Sequence, residues 1–179
     1  MSEEFKRLGR RLIYKGSIID YYRDTVQVPN GNVAEWDFIG HQGAAAVVPV
    51  DDQGRILMVR QWRNALDRDT LEIPAGGLNG PDEPTMTAAA RELEEETGYC
   101  SDNLSLLITV RTTVAYSNEK IDIYLARDLK PGSQHLDEDE FIDVKAYTVD
   151  ELCDMIYEGK IEDAKTIAAI MSYKNKYCR

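Results

Sequence analysis

Residues 77–99 read GLNGPDEPTMTAAARELEEETGY, and this stretch carries a group of carboxylates with helical spacing. Its second half predicts a helix in which three side chains stand at i, i+3 and i+4 and share one face: Glu92, Glu95 and Glu96. Like charges this close repel one another, and hard oxygen ligands suit divalent cations. The stretch therefore predicts a metal-binding helix of the kind found at phosphate-cleaving sites.

Length and charge limit the class of protein. The chain has 179 residues and a formal net charge of −11, and its apolar and charged fractions are typical of a soluble globular protein with one sizeable core. The acidity disfavours unspecific nucleic-acid binding and mainly favours solubility. No apolar run is long enough to span a bilayer, and no apolar signal-peptide region follows the first residues. We therefore expect neither a nucleic acid nor a membrane as a partner.

The three cysteines are scattered: Cys100, Cys153 and Cys178. Their number is odd and none forms a Cys-x-x-Cys pair, so neither a zinc site nor a disulfide framework is indicated. A reducing cytoplasm is the compartment that this pattern favours.

The N-terminal part of the chain predicts antiparallel strands. Residues 12–28 and 33–39 are rich in β-forming side chains, and the Pro-Asn-Gly-Asn sequence at residues 29–32 between them is typical of a hairpin turn. Residues 43–50 form an apolar run typical of a buried strand, and residues 55–61 predict the next strand.

The rest of the chain mixes helices and strands. We predict a helix over residues 84–97, with Thr85 or a neighbour as its N-cap and Gly98 at its C′ position. A second helix over residues 149–158 is predicted to face inward with Leu152, Ile156 and Tyr157. Further elements are strands at residues 104–111, 120–126 and 141–148 and a helix at residues 163–177. The elements do not alternate regularly, so the predicted fold class is α+β.

Residues 77–99 match the pattern G-x5-E-x7-R-E-U-x-E-E-x-G-U, with U apolar or aromatic, at every specified position. In this motif the chain resembles the Nudix hydrolases, and the motif is far more specific than a lone glycine pattern. The resemblance implies the Nudix fold, a mixed β-sheet sandwiched between helices. It also implies hydrolysis of a nucleoside diphosphate linked to another moiety, with Mg²⁺ or Mn²⁺ as cofactor.

The resemblance extends to the ADP-ribose pyrophosphatase branch over most of the chain. Five segments are similar to that branch: RQWR at 60–63, EIPAG at 72–76, SNEK at 117–120, DEDEFI at 137–142 and EGKIEDAKT at 158–166. Residues 1–42 resemble the N-terminal antiparallel β-extension with which these enzymes form an intertwined homodimer, and residues 43–179 resemble the hydrolase domain. A homodimer that acts on a small nucleotide is therefore implied.

The family's metal ligands map onto this chain residue by residue. The resemblance assigns metal binding to five residues: Glu92, Glu95, Glu96, Glu140 and, through its main-chain carbonyl, Gly76. The chain reads Pro-Ala-Gly-Gly where the branch usually has Pro-Ala-Gly, so Ala75 is an alternative source of the carbonyl.

The family also suggests a catalytic base and residues that hold the ligands in place. Glu138 matches the glutamate that deprotonates or orients the attacking water, and Glu95 is the rival base because other Nudix branches use a glutamate of the motif. Arg91 is expected to pair with Glu83 and hold the loop against the helix. Two glycines of the motif complete this structural set: Gly77 and Gly98.

Substrate binding is assigned to five residues: Arg63, Glu72, Glu119, Arg60 and Arg111. Arginine offers a planar fork for phosphate or a surface for a base. Trp62 is predicted either to stack on a base or to lie in the core or the dimer interface. His41 and His135 have no partner spacing that suggests a site, so both are expected on the surface or in loops.

One segment departs from the ADP-ribose branch. Residues 112–119 read TTVAYSNE and lack the proline that marks the branch, and a tyrosine at this place is a feature of some diadenosine-polyphosphate hydrolases. The alternative substrates are therefore a dinucleoside polyphosphate, GDP-mannose or NADH. A non-catalytic nucleotide sensor is a further alternative, although such domains commonly lose glutamates that this chain keeps.

Overall fold

The computed structural model describes residues 4–136, 138 and 140–178, and their contacts divide the chain into two compact units. The first unit comprises Met1–Gly43 and Arg111–Glu119, and the second comprises Ala44–Val110 and Lys120–Arg179. Residues 111–119 thus group with the N-terminal strands, although the sequence prediction places them within residues 43–179. The dimerisation role of residues 1–42 stays a prediction.

The first unit is built on a three-stranded antiparallel sheet in the order β1-β2-β3. Its strands are β1 (Lys6–Lys15), β2 (Asp20–Gln27) and β3 (Val33–Gly40). The predicted hairpin turn joins β2 to β3, and Gly31 adopts the left-handed φ of 87° that such a turn requires. β1 begins well before residue 12, because pairing with β2 extends it through a charged, exposed stretch that carries no strand pattern.

The second unit contains the remaining helices and strands. In chain order they are β4 (Ala44–Pro49), β5 (Ile56–Arg63), β6 (Arg68–Glu72), β7 (Ala75–Gly77), α1 (Thr85–Thr97), β8 (Tyr99–Cys100), β9 (Asn103–Arg111), β10 (Lys120–Arg127), β11 (Lys130–Pro131), β12 (Ile142–Tyr147), α2 (Val149–Tyr157) and α3 (Ala164–Tyr177).

A mixed sheet in the order β7-β4-β10-β9 lies at the centre of this unit. β4 pairs with β10 in parallel and with β7 in antiparallel register. A second sheet has the order β12-β5-β6 and is antiparallel throughout, and a short pair joins β8 to β11.

Both faces of β4 are buried, as its continuous apolar sequence predicts. Because side chains alternate along a strand, Ala45 and Val47 pack towards α1, where they meet Ala89 and Leu93. The alternate residues join the main core, which includes side chains of β5, α2 and α3: Ala44, Ala46, Val48, Met58, Leu152 and Ile170. Helices thus cover both faces of the mixed sheet, which is the predicted α+β arrangement of a mixed sheet sandwiched between helices.

Two details narrow alternatives of the sequence prediction, those of the N-cap and of Trp62, and a third, that of Tyr157, corrects it. Pro84, a neighbour of Thr85, occupies the N-cap position of α1, and no side chain of a described residue caps this end. Tyr157 does not face inward with Leu152, because it lies at the last residue of α2 and is 77% exposed. Trp62 is 54% exposed and is not a core residue.

No helix in the part of the chain that the structure describes has the length and apolar character needed to cross a membrane.

Candidate active site

The acidic face of α1 lies against β7. Glu96 is 3% exposed, and its Oε2 accepts a hydrogen bond of 3.1 Å from the backbone N–H of Ala75. Glu92 is also buried, and a side chain added at Gly76 would overlap its carboxylate. Glu95 is partly exposed. The helix therefore places two of its three predicted metal ligands in a buried site beside a backbone strand, with the third at the edge.

Two carboxylates buried side by side are electrostatically unfavourable. Burial raises the pKa of Glu92 to about 7, although the adjacent charge of Arg91 opposes the shift. Burial also raises the pKa of Glu96 to about 8, and the charge of Glu92 adds to this shift. The charge of Glu140 contributes to both shifts, so Glu140 lies within electrostatic range of the pair. A cation placed here would stabilise the ionised carboxylates.

A hard divalent cation fits this donor set, because carboxylates and main-chain carbonyls are the ligands that Mg²⁺ and Mn²⁺ prefer. As the side chains stand, no group of three or more His, Cys, Asp or Glu residues within 4–136, 138 and 140–178 is arranged to hold a metal ion. Arg91 engages two of the expected ligands instead. Its Nη1 contacts Glu92 Oε1 at 2.6 Å and Glu95 Oε2 at 2.8 Å.

Arg91 also ties the preceding loop to α1. Its Nη2 donates to the carbonyl of Gly77 at 3.0 Å, and its Nε lies 3.4 Å from Glu83 Oε1. Glu83 in turn accepts a hydrogen bond from the backbone N–H of Asn79. Three of the four residues that the sequence assigns to holding the ligands therefore meet at one guanidinium: Arg91, Glu83 and Gly77.

The segment before the acidic loop crosses the C-terminal end of α1. Gly98 ends the helix with a left-handed φ of 72°, and its carbonyl accepts a hydrogen bond of 2.8 Å from the N–H of Gly132. Two further carbonyls of the last turn, those of Glu96 and Glu95, accept from Gln134 Nε2 at 2.7 Å and from the N–H of His135 at 3.0 Å. These bonds satisfy helix-end carbonyls and bring the chain towards the carboxylates.

The acidic loop itself is described in part. Glu138, the predicted base, is exposed in a turn, and Glu140 is exposed but electrostatically coupled to Glu92 and Glu96. Asp137 and Asp139, which belong to the same predicted loop, lie outside the described residues.

Arg63 and Glu72 form a bidentate pair at the end of the β5–β6 hairpin. Arg63 Nε donates to Glu72 Oε1 at 2.7 Å and Nη2 donates to Oε2 at 2.6 Å. Glu72 is buried and is also bonded by Thr70 Oγ1 and by Lys165 Nζ, while Lys165 is itself paired with Asp163. Glu72 is therefore engaged by protein groups, and Arg63, which remains partly exposed, is the member of the pair that can reach a ligand.

The sequence predicts neither Lys165 nor Asp163 as a site residue. The segment 158–166 matches the ADP-ribose branch as a whole, but no local spacing pairs Lys165 with Glu72, which lies 93 residues away. An isolated lysine in the first turn of a helix is more often a solvated residue, so only the fold reveals this pair.

The structure does not bring Arg60 together with Arg63. Arg60 pairs with Leu71 across β5 and β6, whereas Arg63 pairs with Arg68. Because strand side chains alternate, residues three apart point to opposite faces. The two arginines therefore lie on opposite faces of the hairpin, which their spacing already implies.

Two predicted substrate-binding residues belong to the first unit. Glu119 accepts a hydrogen bond from Thr112 Oγ1, and its Oε1 lies 3.6 Å from His41 Nε2. Arg111 Nη1 donates to the carbonyl of Asn118 at 2.6 Å. His41 therefore has a partner that the sequence spacing does not predict.

Residues 40–170 match the NUDIX domain. Among curated proteins, the ADP-ribose pyrophosphatase of Bacillus subtilis (strain 168) is 39% identical over 171 residues, which cover 94% of this chain and 92% of that protein. The methanol dehydrogenase activator of Bacillus methanolicus is 38% identical over 169 residues, covering 93% and 91%. The ADP-ribose pyrophosphatase of Mycobacterium tuberculosis (strain ATCC 25618 / H37Rv) is 31% identical over 173 residues, covering 94% and 83%.

Among solved structures, a crystal structure of an ADP compounds hydrolase superposes with a TM-score of 0.87 and covers 98% of this chain and 95% of that chain. Its sequence is 20% identical, so this likeness supports the fold.

Proposed function

This chain belongs to the NUDIX domain family, and we propose that it hydrolyses the diphosphate of ADP-ribose or of a related nucleotide sugar. The products are AMP and a sugar phosphate, and the cofactor is Mg²⁺ or Mn²⁺. Two relatives that align over most of their length are named ADP-ribose pyrophosphatase, which supports the substrate. The chain is a Nudix hydrolase, so the reaction class is cleavage of a phosphorus-containing anhydride.

The observation that carries the proposal is the buried pair Glu92 and Glu96. Two carboxylates with raised pKa values beside a backbone strand form a site that gains stability from a divalent cation. When bound, such a cation would neutralise phosphate charge and lower the pKa of a water ligand. We assign its binding to Glu92, Glu95, Glu96, Glu140 and the carbonyl of Gly76 or Ala75.

The remaining residues orient these groups and the substrate. Arg91 holds Glu92 and Glu95 and ties the loop to the helix, which fixes the ligands. Glu138, on the loop that follows the helix-end hydrogen bonds, would accept the proton of the attacking water, and Glu95 is the alternative base. Arg63 would bind the diphosphate through the N–H groups that are not bonded to Glu72.

We also propose a homodimer formed through residues 1–42, in a reducing cytoplasm. Large apolar side chains of the N-terminal segment are exposed, which is typical of a protein–protein interface. They are Phe5, Leu8, Leu12, Tyr14, Val33 and Trp36. Sedimentation at micromolar concentration tests this assignment, and a monomer would contradict it.

A substrate panel tests the function. The protein with Mg²⁺ is given ADP-ribose, GDP-mannose, NADH and a diadenosine polyphosphate, and AMP and sugar phosphate are quantified by chromatography. We expect the largest kcat/KM for ADP-ribose and loss of turnover on chelation. Preference for the diadenosine compound would move the substrate to the alternative class, and tight binding without product would support a sensor.

The variant Glu96→Gln tests the site. It is expected to abolish metal-dependent turnover while keeping cooperative unfolding. Glu158→Gln is the matched control, because Glu158 ends α2 on the surface and pairs with Lys160. Unchanged turnover in Glu96→Gln would show that the acidic face of α1 is not the reactive site.

A further inference from the structure

Lys165, in the first turn of α3, is bonded to Glu72 and through it to Arg63. We propose that Lys165 is a positioning residue for substrate binding: it fixes the Glu72 carboxylate, which holds the Arg63 guanidinium beside the acidic face of α1 for the diphosphate of the substrate. The proposal rests on the proposed hydrolysis of a nucleoside diphosphate. Lys165 acts through Glu72.

Both oxygens of Glu72 are engaged from two directions. Oε1 accepts from Arg63 Nε at 2.7 Å and from Thr70 Oγ1 at 2.6 Å, and Oε2 accepts from Arg63 Nη2 at 2.6 Å and from Lys165 Nζ. The two parallel bonds from Arg63 fix the plane of its guanidinium. Because Thr70 and Lys165 hold the carboxylate on its other sides, it cannot rotate without losing a hydrogen bond.

Lys165 is itself held firmly. Its side chain is 9% exposed and that of Glu72 is 4% exposed, and charges buried to this degree are tolerated only when they are paired. Lys165 Nζ also donates to Asp163 Oδ2 at 2.9 Å. Asp163 is the N-cap of α3, and the same oxygen accepts a hydrogen bond from the backbone N–H of Thr166. The start of α3 therefore fixes the ammonium position.

Arg63 is partly exposed and is held close to the acidic face of α1. Its side chain is 38% exposed, so solvent and ligands can reach it. Its partner Glu72 lies three residues before Ala75, whose backbone N–H donates to Glu96 Oε2 at 3.1 Å. The N–H groups of the guanidinium that take no part in the Glu72 pair are therefore available next to the predicted metal ligands.

The charge state of Glu72 supports the same role. Burial alone would raise its pKa, but the hydrogen bond from Arg63 and the charge of Lys165 outweigh burial and lower the pKa to about 2. Glu72 thus stays ionised at neutral pH.

The kinetic test compares Lys165→Met with Lys174→Met. Lys174 lies on the same helix but on the surface, where it pairs with Asp150. With ADP-ribose and saturating Mg²⁺, Lys165→Met is expected to raise KM about tenfold while kcat changes less than about threefold, because ground-state binding is lost. Lys174→Met should match the wild type. The proposal would be overturned if Lys165→Met kept the wild-type KM, or if its kcat fell by as large a factor as its KM rose.

A double-mutant cycle separates positioning from a merely structural role. If Lys165 acts through Glu72, then Glu72→Gln and Lys165→Met each raise KM, and the double variant is expected to be no worse than Glu72→Gln alone. Effects on KM that multiply would overturn the proposal. Lys165→Gln, which keeps a donor for Glu72, is the second variant if Lys165→Met does not fold. Loss of cooperative unfolding in both would make the role structural and would also overturn the proposal.

A readout without turnover distinguishes this proposal from the proposed function. The ¹⁵N–¹H signal of Arg63 Nε reports its bond to Glu72 and is expected to exchange faster with solvent in Lys165→Met but not in Lys174→Met. Wild-type protein that does not cleave ADP-ribose would refute the substrate assignment alone. An unchanged Arg63 signal would refute the positioning role alone.

Discussion

Glu96 of α1 and Ala75 of β7 are joined by a hydrogen bond of 3.1 Å from the backbone N–H to the carboxylate. This bond links the helix that carries the glutamates to the strand whose carbonyls are the predicted additional metal ligands. The neighbouring Gly76 approaches Glu92 so closely that it has no room for a side chain. A backbone hydrogen bond therefore helps to hold this site together, although its two buried carboxylates repel each other.

The burial of these two carboxylates, to which their repulsion adds, predicts a pH-dependent stability of the protein without divalent cations. The pKa values of Glu92 and Glu96 are raised from 4.5 to about 7 and about 8, so the folded state binds these protons more tightly than the unfolded chain. The resulting stabilisation is complete below about pH 4.5 and is lost as the pH rises through the folded-state values. Each unit of pKa difference corresponds to about 1.4 kcal/mol, so we expect the free energy of unfolding to fall by several kcal/mol between about pH 5 and pH 8.5.

Urea unfolding with a chelator at a series of pH values measures this effect. Glu96→Gln cannot ionise at this position, so its stability should fall less over the same range, and Mg²⁺ at pH about 8.5 should stabilise the wild type more than the variant. Glu158→Gln is the control and should follow the wild type. Identical slopes in Glu96→Gln and the wild type would contradict the assignment.

The substitution Gly76→Ala is expected to disrupt the close approach between β7 and α1. The added methyl group would overlap the Glu92 carboxylate and force the strand or the glutamate to move. We expect a fall in metal-dependent turnover of about tenfold or more, because a displacement of about 1 Å is enough to cost that much. Gly9→Ala, at a glycine with open space around its Cα, is the control. Wild-type turnover in Gly76→Ala would show that this approach is not needed.

The hydroxyl of Thr85 is expected to stabilise the fold at the N-terminus of α1. Its Oγ1 lies 2.7 Å from the Tyr124 hydroxyl and donates to Asp122 Oδ2 at 3.0 Å, and Asp122 is buried. Thr85→Val leaves these groups with fewer partners and is expected to cost about 1–2 kcal/mol in the free energy of unfolding. Thr87→Val, at an exposed position two residues on, should cost much less. Equal effects of the two variants in urea unfolding would contradict this role.

Features that depend on a local sequence pattern could be predicted, whereas contacts between residues distant in sequence could not. The spacing of Glu92, Glu95 and Glu96 predicts their shared face, and the apolar run of β4 predicts its burial. The pairing of Lys165 with Glu72 joins elements 93 residues apart, so no local period encodes it. Of the predicted N-cap candidates, Thr85 does not cap α1 because Asp122 and Tyr124 on β10 offer its hydroxyl tertiary partners, which override its local capping preference.

The identity of the base gives the last prediction. Glu95 accepts a hydrogen bond of 2.8 Å from Arg91, which restrains its carboxylate. Glu138 is exposed on the loop that follows the bonds of Gln134 and His135 to the end of α1, so it is free of that restraint.

Glu138→Gln is therefore expected to lower kcat about 100-fold with little change in KM, as for loss of a general base. Glu95→Gln should instead raise the Mg²⁺ concentration needed for half-maximal turnover. Steady-state kinetics at varied Mg²⁺, with Glu158→Gln as the control, separates the two. If Glu95→Gln loses kcat at saturating Mg²⁺ while Glu138→Gln keeps it, the base lies on the helix and not on the loop.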